Sequence, residues 1–428
     1  MNSDPHLLVS TVQVGLGVCQ ATVLDVTAVG RAGRMRAVTP MSTTPAPLSW
    51  SGVTARRMAR HALTEPASDL GPAEVAGVLC GAHAQVLSAA ELSIGRRIAG
   101  ATRADVQRAL WEDRALVKTF GPRGTVHLLP TADLPMWTGA LSALPSSVPA
   151  HPEPVRFSAE QAEQVMAAIG DALAGTELTV DELTEQIVDR TGPWAGEETM
   201  EAFQDRWPRW RQLTSMAAHR GMLCFGPNRG RNITYTNPHR WLPGFRPDDG
   251  DAALRSLVIR YLYAYGPATP QHLARWLSIP PPRAVELFQA LAGDLEQVEV
   301  DSASAWTLAG DTATPPEPHR GLRLLPYFDA FVVAGQPRER LYPGPAGTRA
   351  LTPGGQAGNY PVLLVDGVVA GVWHQRRSGR RLAITVEPLG ELTATQRRQL
   401  EDEVELVGAV MEATATLTLG TVTVGPHA

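Results

Sequence analysis

Lysine is almost missing from this chain. Of its 38 basic side chains only Lys118 is a lysine, so covalent chemistry through a side-chain amine has a single position to draw on. Cysteine is scarce too. Cys19, Cys80 and Cys224 lie too far apart in sequence for a disulfide framework or a zinc quartet, which argues for a reducing cytoplasm and for no structural metal; no cofactor is expected. Long apolar runs are also lacking. The most apolar early stretch, residues 7–29, is broken by Gln13, Gln20 and Asp25 and has no basic leader, so neither a signal peptide nor a membrane span is expected. Aromatic residues make up 6% of the chain, and no cluster of them suggests a cage for a planar ligand.

What is present is an ordinary core-forming composition. With 44% apolar and 19% charged residues over a length of 428, two to four domains are expected. The net charge of −5 argues against a polyanion partner until the charges are placed along the chain. Residues 206–240 hold seven arginines and no acid, and residues 320–381 hold nine arginines against Asp329, Glu339 and Asp366. The acids gather after Val386, where Glu387, Glu391, Glu401, Asp402, Glu403, Glu405 and Glu412 face only Arg397 and Arg398. Two basic blocks with a separate acidic tail fit a polyanion lying along one side of the molecule, although an arginine-rich solvated surface gives the same pattern.

Residues 1–45 are low in charge and end in a Thr/Pro/Ser-rich stretch, which predicts a disordered leader; Met41 is a plausible alternative start. From Leu48 the apolar period is helical, over 74–80, 89–98 and 104–111, and a pair of β runs about a Gly-Pro turn follows at 116–130. Several short helices closed by a hairpin outline a winged helix. The outline recurs twice, with helices at 159–170, 179–189 and 200–219 before a hairpin at 222–235, then helices at 252–265, 269–277 and 282–292 before one at 295–308. From Leu322 the pattern is β, with one helix at 395–410, and a small barrel or sandwich is the economical reading. The expected architecture is α+β, mainly α. It comprises a winged helix over 46–145, a second over 146–245, a third over 246–315, and a β-barrel over 316–428.

The most distinctive polar placement is His83-Ala84-Gln85, two hydrogen-bonding side chains in an apolar segment; in an extended chain both would share one face. Taken alone, such a pair equally serves to cap a helix or to satisfy buried backbone groups.

Five stretches together carry a resemblance: residues 79–97, the Phe120-Gly121-Pro122-Arg123-Gly124-Thr125-Val126-His127-Leu128 hairpin, Tyr265-Gly266-Pro267-Ala268-Thr269, Leu325-Pro326-Tyr327-Phe328-Asp329, and Val365-Asp366-Gly367 through Trp373. In this order they resemble the AlkZ/YcaQ family of bacterial winged-helix DNA glycosylases, from about residue 48 to 420. The resemblance implies three tandem winged helices and a C-terminal β-barrel in a concave basic scaffold that unhooks alkylated purines from double-stranded DNA. It also implies a catalytic motif of Gln, one apolar residue, then Gln or Asp, which aligns on His83-Ala84-Gln85. Gln85 matches, and a histidine stands where the family usually has its first glutamine. That departure is compatible with a variant mechanism, a changed substrate range or a lost activity.

An amide can suffice because a purine alkylated at N7 is cationic and leaves C1′ without a strong general acid. Gln85 would hold water below C1′, and a neutral His83 would take its proton. Arg123, Arg209, Arg211, Arg229, Arg231, Arg376 and Arg377 are the expected DNA contacts; Arg123 and His127 also suit a structural role in the hairpin. With one lysine in an apolar-flanked run, the reaction is expected to stop at the abasic site. A monomer in the cytoplasm, free of membranes, is expected. The competing reading is a non-catalytic winged-helix DNA-binding protein or transcriptional regulator, which would ordinarily dimerise on a palindrome.

Overall fold

The computed structural model describes residues 48–145, 152–153, 155–201 and 206–425. The leader expected over 1–45 lies outside them. The first helix, α1 (Trp50–Arg60), begins where the Ser49 hydroxyl accepts from the Gly52 N–H at 3.2 Å. There follow α2 (Pro72–Val78), β1 (Ala82–His83), α3 (Leu87–Gly95), α4 (Arg103–Trp111), β2 (Leu116–Phe120) and β3 (Val126–Pro130). The three strands form an antiparallel sheet in the order β1-β3-β2, and α5 (Leu134–Ser142) leads out of the unit.

The order helix, strand, helix, then hairpin returns in α6 (Ala159–Leu173), β4 (Glu177–Thr179), α7 (Val180–Thr191), β5 (Glu198–Glu201), β6 (Arg206–Pro208), α8 (Thr214–His219), β7 (Cys224–Arg229) and β8 (Asn232–Thr236), with the sheet β4-β8-β7. Capping boxes at Ser158/Gln161 and Thr179/Glu182 start α6 and α7 where the sequence places them. The described residues of 200–219 are not the single helix expected. Met200 and Glu201 end β5, which pairs antiparallel with β6, and a 3-10 segment and the short α8 follow, because Pro208 holds the preceding Trp207 extended. Trp210, fully buried, then fastens the segment by donating to the Thr184 hydroxyl at 2.9 Å.

A third group comprises α9 (Gly250–Tyr265), α10 (Pro270–Leu277), α11 (Pro281–Ala290) and the hairpin β9 (Leu295–Val300) to β10 (Ala303–Leu308). One hydrophobic core runs through all three groups, joining Leu79 and Leu128 to Ile169 and Trp210 and to Leu257 and Leu273.

The C-terminal part holds β11 (Leu322–Leu325), three short helices α12 (Ala330–Ala334), α13 (Arg338–Leu341) and α14 (Pro345–Ala350), then β12 (Val362–Val365), β13 (Val368–Ser378), β14 (Arg381–Pro388), α15 (Ala394–Val410) and β15 (Thr414–Leu419). The sheet order is β11-β12-β13-β14-β15, antiparallel except for the parallel β14–β15 pair, whose crossover is α15. Among the described residues its edges β11 and β15 do not pair, so the sheet is a half-barrel where a small barrel or sandwich is expected. The physical reason lies in α15, whose Leu400, Val404 and Val407 pack with Leu322, Trp373 and Ile384 and cover the apolar face that closure would otherwise bury. The architecture is mixed α/β, less dominated by helix than expected.

Candidate active site

The chain reaches the candidate motif through a turn that only glycine accommodates. Gly81 has φ +96°, and a Cβ there would lie 2.7 Å from Leu129 Cδ2. This lets β1 lie directly on β3, with Ala82 opposite Leu128 and His83 opposite His127. The Ala84 N–H donates to the Val126 carbonyl at 2.7 Å, the ladder ends, and Val86 caps α3. Ala84 is buried, His83 half-buried and Gln85 exposed, so the period-two expectation holds across the strand end. His83 and Gln85 open on one cleft of about 570 Å³.

His83 is packed from two sides. Its ring stacks on Phe328 at 4.4 Å between centroids and 27° between planes, and meets His127 edge-on at 5.0 Å. His127 is buried, and its Nδ1–H donates to the Thr125 carbonyl at 2.8 Å, which fixes the neutral tautomer. Burial, then the proximity of His83 and of Arg123, holds its pKa well below the ordinary imidazole value. His127 is not itself among the residues that line the cleft, and touches the site through the His83 ring.

The cleft wall is cationic. Arg123, Arg275 and Arg338 line it together with Gln336 and Gln356, and no carboxylate is among the lining residues. Arg123 sits in the β2–β3 turn at φ +63° and donates to the Trp276 carbonyl at 2.6 Å; burial brings its pKa down to about 10. Arg338 is fastened to the carbonyls of Val333 at 2.6 Å and Gly335 at 2.8 Å. Arg275 is exposed and makes one long contact, 3.4 Å to Gln336 Oε1. Phe328, Arg275 and Arg338 were not singled out from sequence as site residues. Phe328 lies within one of the five resemblance stretches, and Arg338 within the second basic block.

The other expected DNA contacts divide by what they touch. Arg209 donates to the Val155 and Arg156 carbonyls at 2.8 and 2.7 Å and lies over the Phe157 ring. Arg211 lies over the ring of Trp207, itself exposed. Arg229 pairs with Glu182 at 2.9 Å and reaches the Glu177 carbonyl. Arg231, beside Gly230 at φ +63°, is exposed at the tip of β7–β8 and makes no ion pair among the described residues. Arg376 and Arg377 are exposed near the end of β13, and Arg377 donates to the Met411 carbonyl at 2.8 Å. None of these six lines the cleft.

Lys118 is not at the site. It lies opposite Leu128, one pleat from the Thr119–His127 pair, so its side chain leaves the face opposite His83 and sits over the Phe225 ring at 4.6 Å. Burial lowers its pKa.

A helix, strand, helix and hairpin carrying this motif against a half-barrel sheet is the arrangement of a DNA glycosylase class. The profile of the family described as DNA glycosylase AlkZ-like matches residues 76–410. The chain belongs to that family. It is 32% identical over 338 residues to an interstrand DNA cross-link repair glycosylase of Streptomyces sahachiroi, an alignment that covers 76% of this chain and 87% of the relative. The solved structure of Streptomyces sahachiroi DNA glycosylase AlkZ superposes with a TM-score of 0.73 at 30% identity, covering 87% of this chain and all of the other.

Proposed function

We propose that this protein is a monofunctional glycosylase that releases cationic N7-alkylated purines from double-stranded DNA. Its substrates would include bulky adducts or interstrand cross-links of the kind formed by genotoxic natural products, and its role would be DNA repair and self-resistance. The observation that carries this reading is the convergence of His83 and Gln85 on one cleft whose charged lining is entirely cationic. Three tandem winged helices over 46–145, 146–245 and 246–315 would form, with the sheet over 316–428, a concave basic scaffold along which the duplex lies. The relative's description as a cross-link repair glycosylase supports the substrate class.

Gln85 would accept a hydrogen bond from water with its amide oxygen while its NH₂ group engages a phosphate or backbone oxygen. As the C1′–N9 bond lengthens, its electron pair neutralises the N7-alkylpurine cation, and the water oxygen bonds to the oxocarbenium-like C1′. The water's proton passes to His83, a contribution usually worth about 10²–10⁴-fold. Products are the free alkylpurine and an abasic site. The arginines of the cleft would hold the phosphates flanking the reacting sugar.

Incubating the protein with N7-methylated duplex DNA should release N7-methylguanine. Absence of free base from this and from a cross-linked duplex, with duplex binding intact, would favour the non-catalytic DNA-binding alternative. The abasic strand should stay uncut. A borohydride-trapped covalent adduct that is lost in Lys118→Ala would overturn the monofunctional assignment.

A further inference from the structure

We propose that Phe328 is a positioning residue that fixes the His83 ring for catalysis and is itself held in place by the buried Arg97–Asp329 pair. The inference rests on the reading of His83 as a catalytic group. A ring at a strand end, half-buried at a cleft, has two torsions to restrain. His127 meets its edge from the sheet, and Phe328 covers its face from a different part of the chain, 245 positions further on by subtraction of the two residue numbers.

Phe328 occupies that place against its own backbone preference. Its φ is +55°, uncommon for a bulky side chain, and the conformation persists only where the surroundings over-determine it. They do so here. The Phe328 N–H donates to the Gly358 carbonyl at 2.9 Å, and a Cβ on Gly358 would come within 3.0 Å of the Phe328 ring. The next residue, Asp329, is fully buried and receives Arg97 in a bidentate pair at 2.8 and 2.9 Å, the Ser93 hydroxyl at 2.7 Å and the Phe331 N–H at 3.0 Å.

Arg97 and Ser93 belong to α3 and its C-terminal end, the helix whose N-terminus follows Gln85. Arg97 also donates to the Ser93 carbonyl at 2.6 Å and to the His61 carbonyl at 3.0 Å. The contacts therefore close a ring. His83 leads through Gln85 into α3, α3 anchors Asp329, and Asp329 returns Phe328 onto His83. A pure packing role would need neither the strained backbone nor a ring stacked on the imidazole face.

Leucine at 328 keeps apolar bulk and faces the same backbone cost, so it removes chiefly the aromatic face. Single-turnover release of N7-methylguanine by the full chain should slow about 10- to 100-fold in Phe328→Leu, the scale expected for a misplaced catalytic group. Duplex Kd should stay within about 3-fold, and Phe328→Tyr, which keeps the stack, should restore the rate to within about 3-fold of wild type. The His83 Hε1 resonance, identified by its loss in His83→Gln, should move in Phe328→Leu and return in Phe328→Tyr. A wild type that releases base while the leucine variant matches its rate would overturn the proposal. So would a folded tyrosine variant as slow as leucine, or an unmoved His83 resonance. A wild type that releases no base on any alkylated duplex would instead refute the glycosylase reading, and an unmoved His83 resonance would then refute the Phe328 stack as well.

Discussion

At the scale of single residues, sequence alone separates His83 from Gln85 by one buried alanine, and the structure keeps both on the cleft although β1 is only two residues long. The alternation survives because the Ala84 N–H is still tied to β3 before the chain turns into α3. Gln85 has no packing role to lose, being exposed, so Gln85→Ala should leave melting temperature and duplex affinity nearly unchanged while base release falls below detection. A variant that keeps more than about a tenth of the wild-type rate would remove Gln85 from the proposed chemistry, since a water-orienting group is usually worth at least about 10²-fold. The partner of His83 was not legible in the same way. Phe328 is distant in sequence, and nothing in composition or spacing says that its ring will stack on the histidine.

At the scale of elements, most helices and hairpins follow from capping residues and apolar periods. Thr393 with Gln396 starts α15, and Pro270 opens α10. Residues 200–219 misled because their apolar spacing is helical while Pro208 forbids one continuous helix. The short helices α12, α13 and α14 gave no period long enough to detect.

The element that binds the motif to the C-terminal part is the end of α3. There Arg96 reaches Glu403 at 2.6 Å and Arg97 reaches Asp329 at 2.8 Å, all four side chains buried. Removing one partner strands the other charge, so Arg97→Ala should destabilise by about 3–5 kcal/mol in denaturant melts. A loss under about 1 kcal/mol would mean the pair is not the anchor described. On the β7–β8 tip, Arg231→Ala should weaken duplex binding irrespective of sequence. Arg229→Ala should matter less, because Glu182 already engages that guanidinium. Equal losses from the two would show that the Arg229 ion pair opens on DNA.

At the scale of the whole molecule, a net charge of −5 conceals a cationic cleft and two arginine blocks. Sequence placed those blocks but not their partners. Several expected DNA contacts, Arg209 foremost, spend their donors on backbone carbonyls. Duplex affinity should nonetheless fall steeply and linearly on a log-log salt plot as phosphate counterions are released, and a flat plot would contradict the basic-surface reading.

Stability should depend on pH through buried imidazoles. Burial brings His61 down to about 3 and His272 to about 4, and holds His127 well below its ordinary value. The native state therefore binds fewer protons than the unfolded chain below about pH 6.5. Stability is full above that pH and declines as pH falls toward 4, by up to about 1.4 kcal/mol per pH unit for each fully buried ring. Thermal melts at pH 7 and pH 5 should differ accordingly, and coincident melts would mean that these rings are hydrated or paired in the native state.

The most direct test of the account is the pH dependence of base release in two proteins, wild type and His83→Gln, on one N7-alkylguanine duplex under single-turnover conditions. If His83 takes the proton of water held by Gln85, the wild-type rate falls as pH drops through the imidazole range, because a protonated ring cannot accept it. The glutamine variant, with an amide that does not titrate, should retain measurable activity and lose that acid limb. Superimposable profiles would contradict the assignment of His83 as base, and base release by neither protein would contradict the glycosylase activity itself.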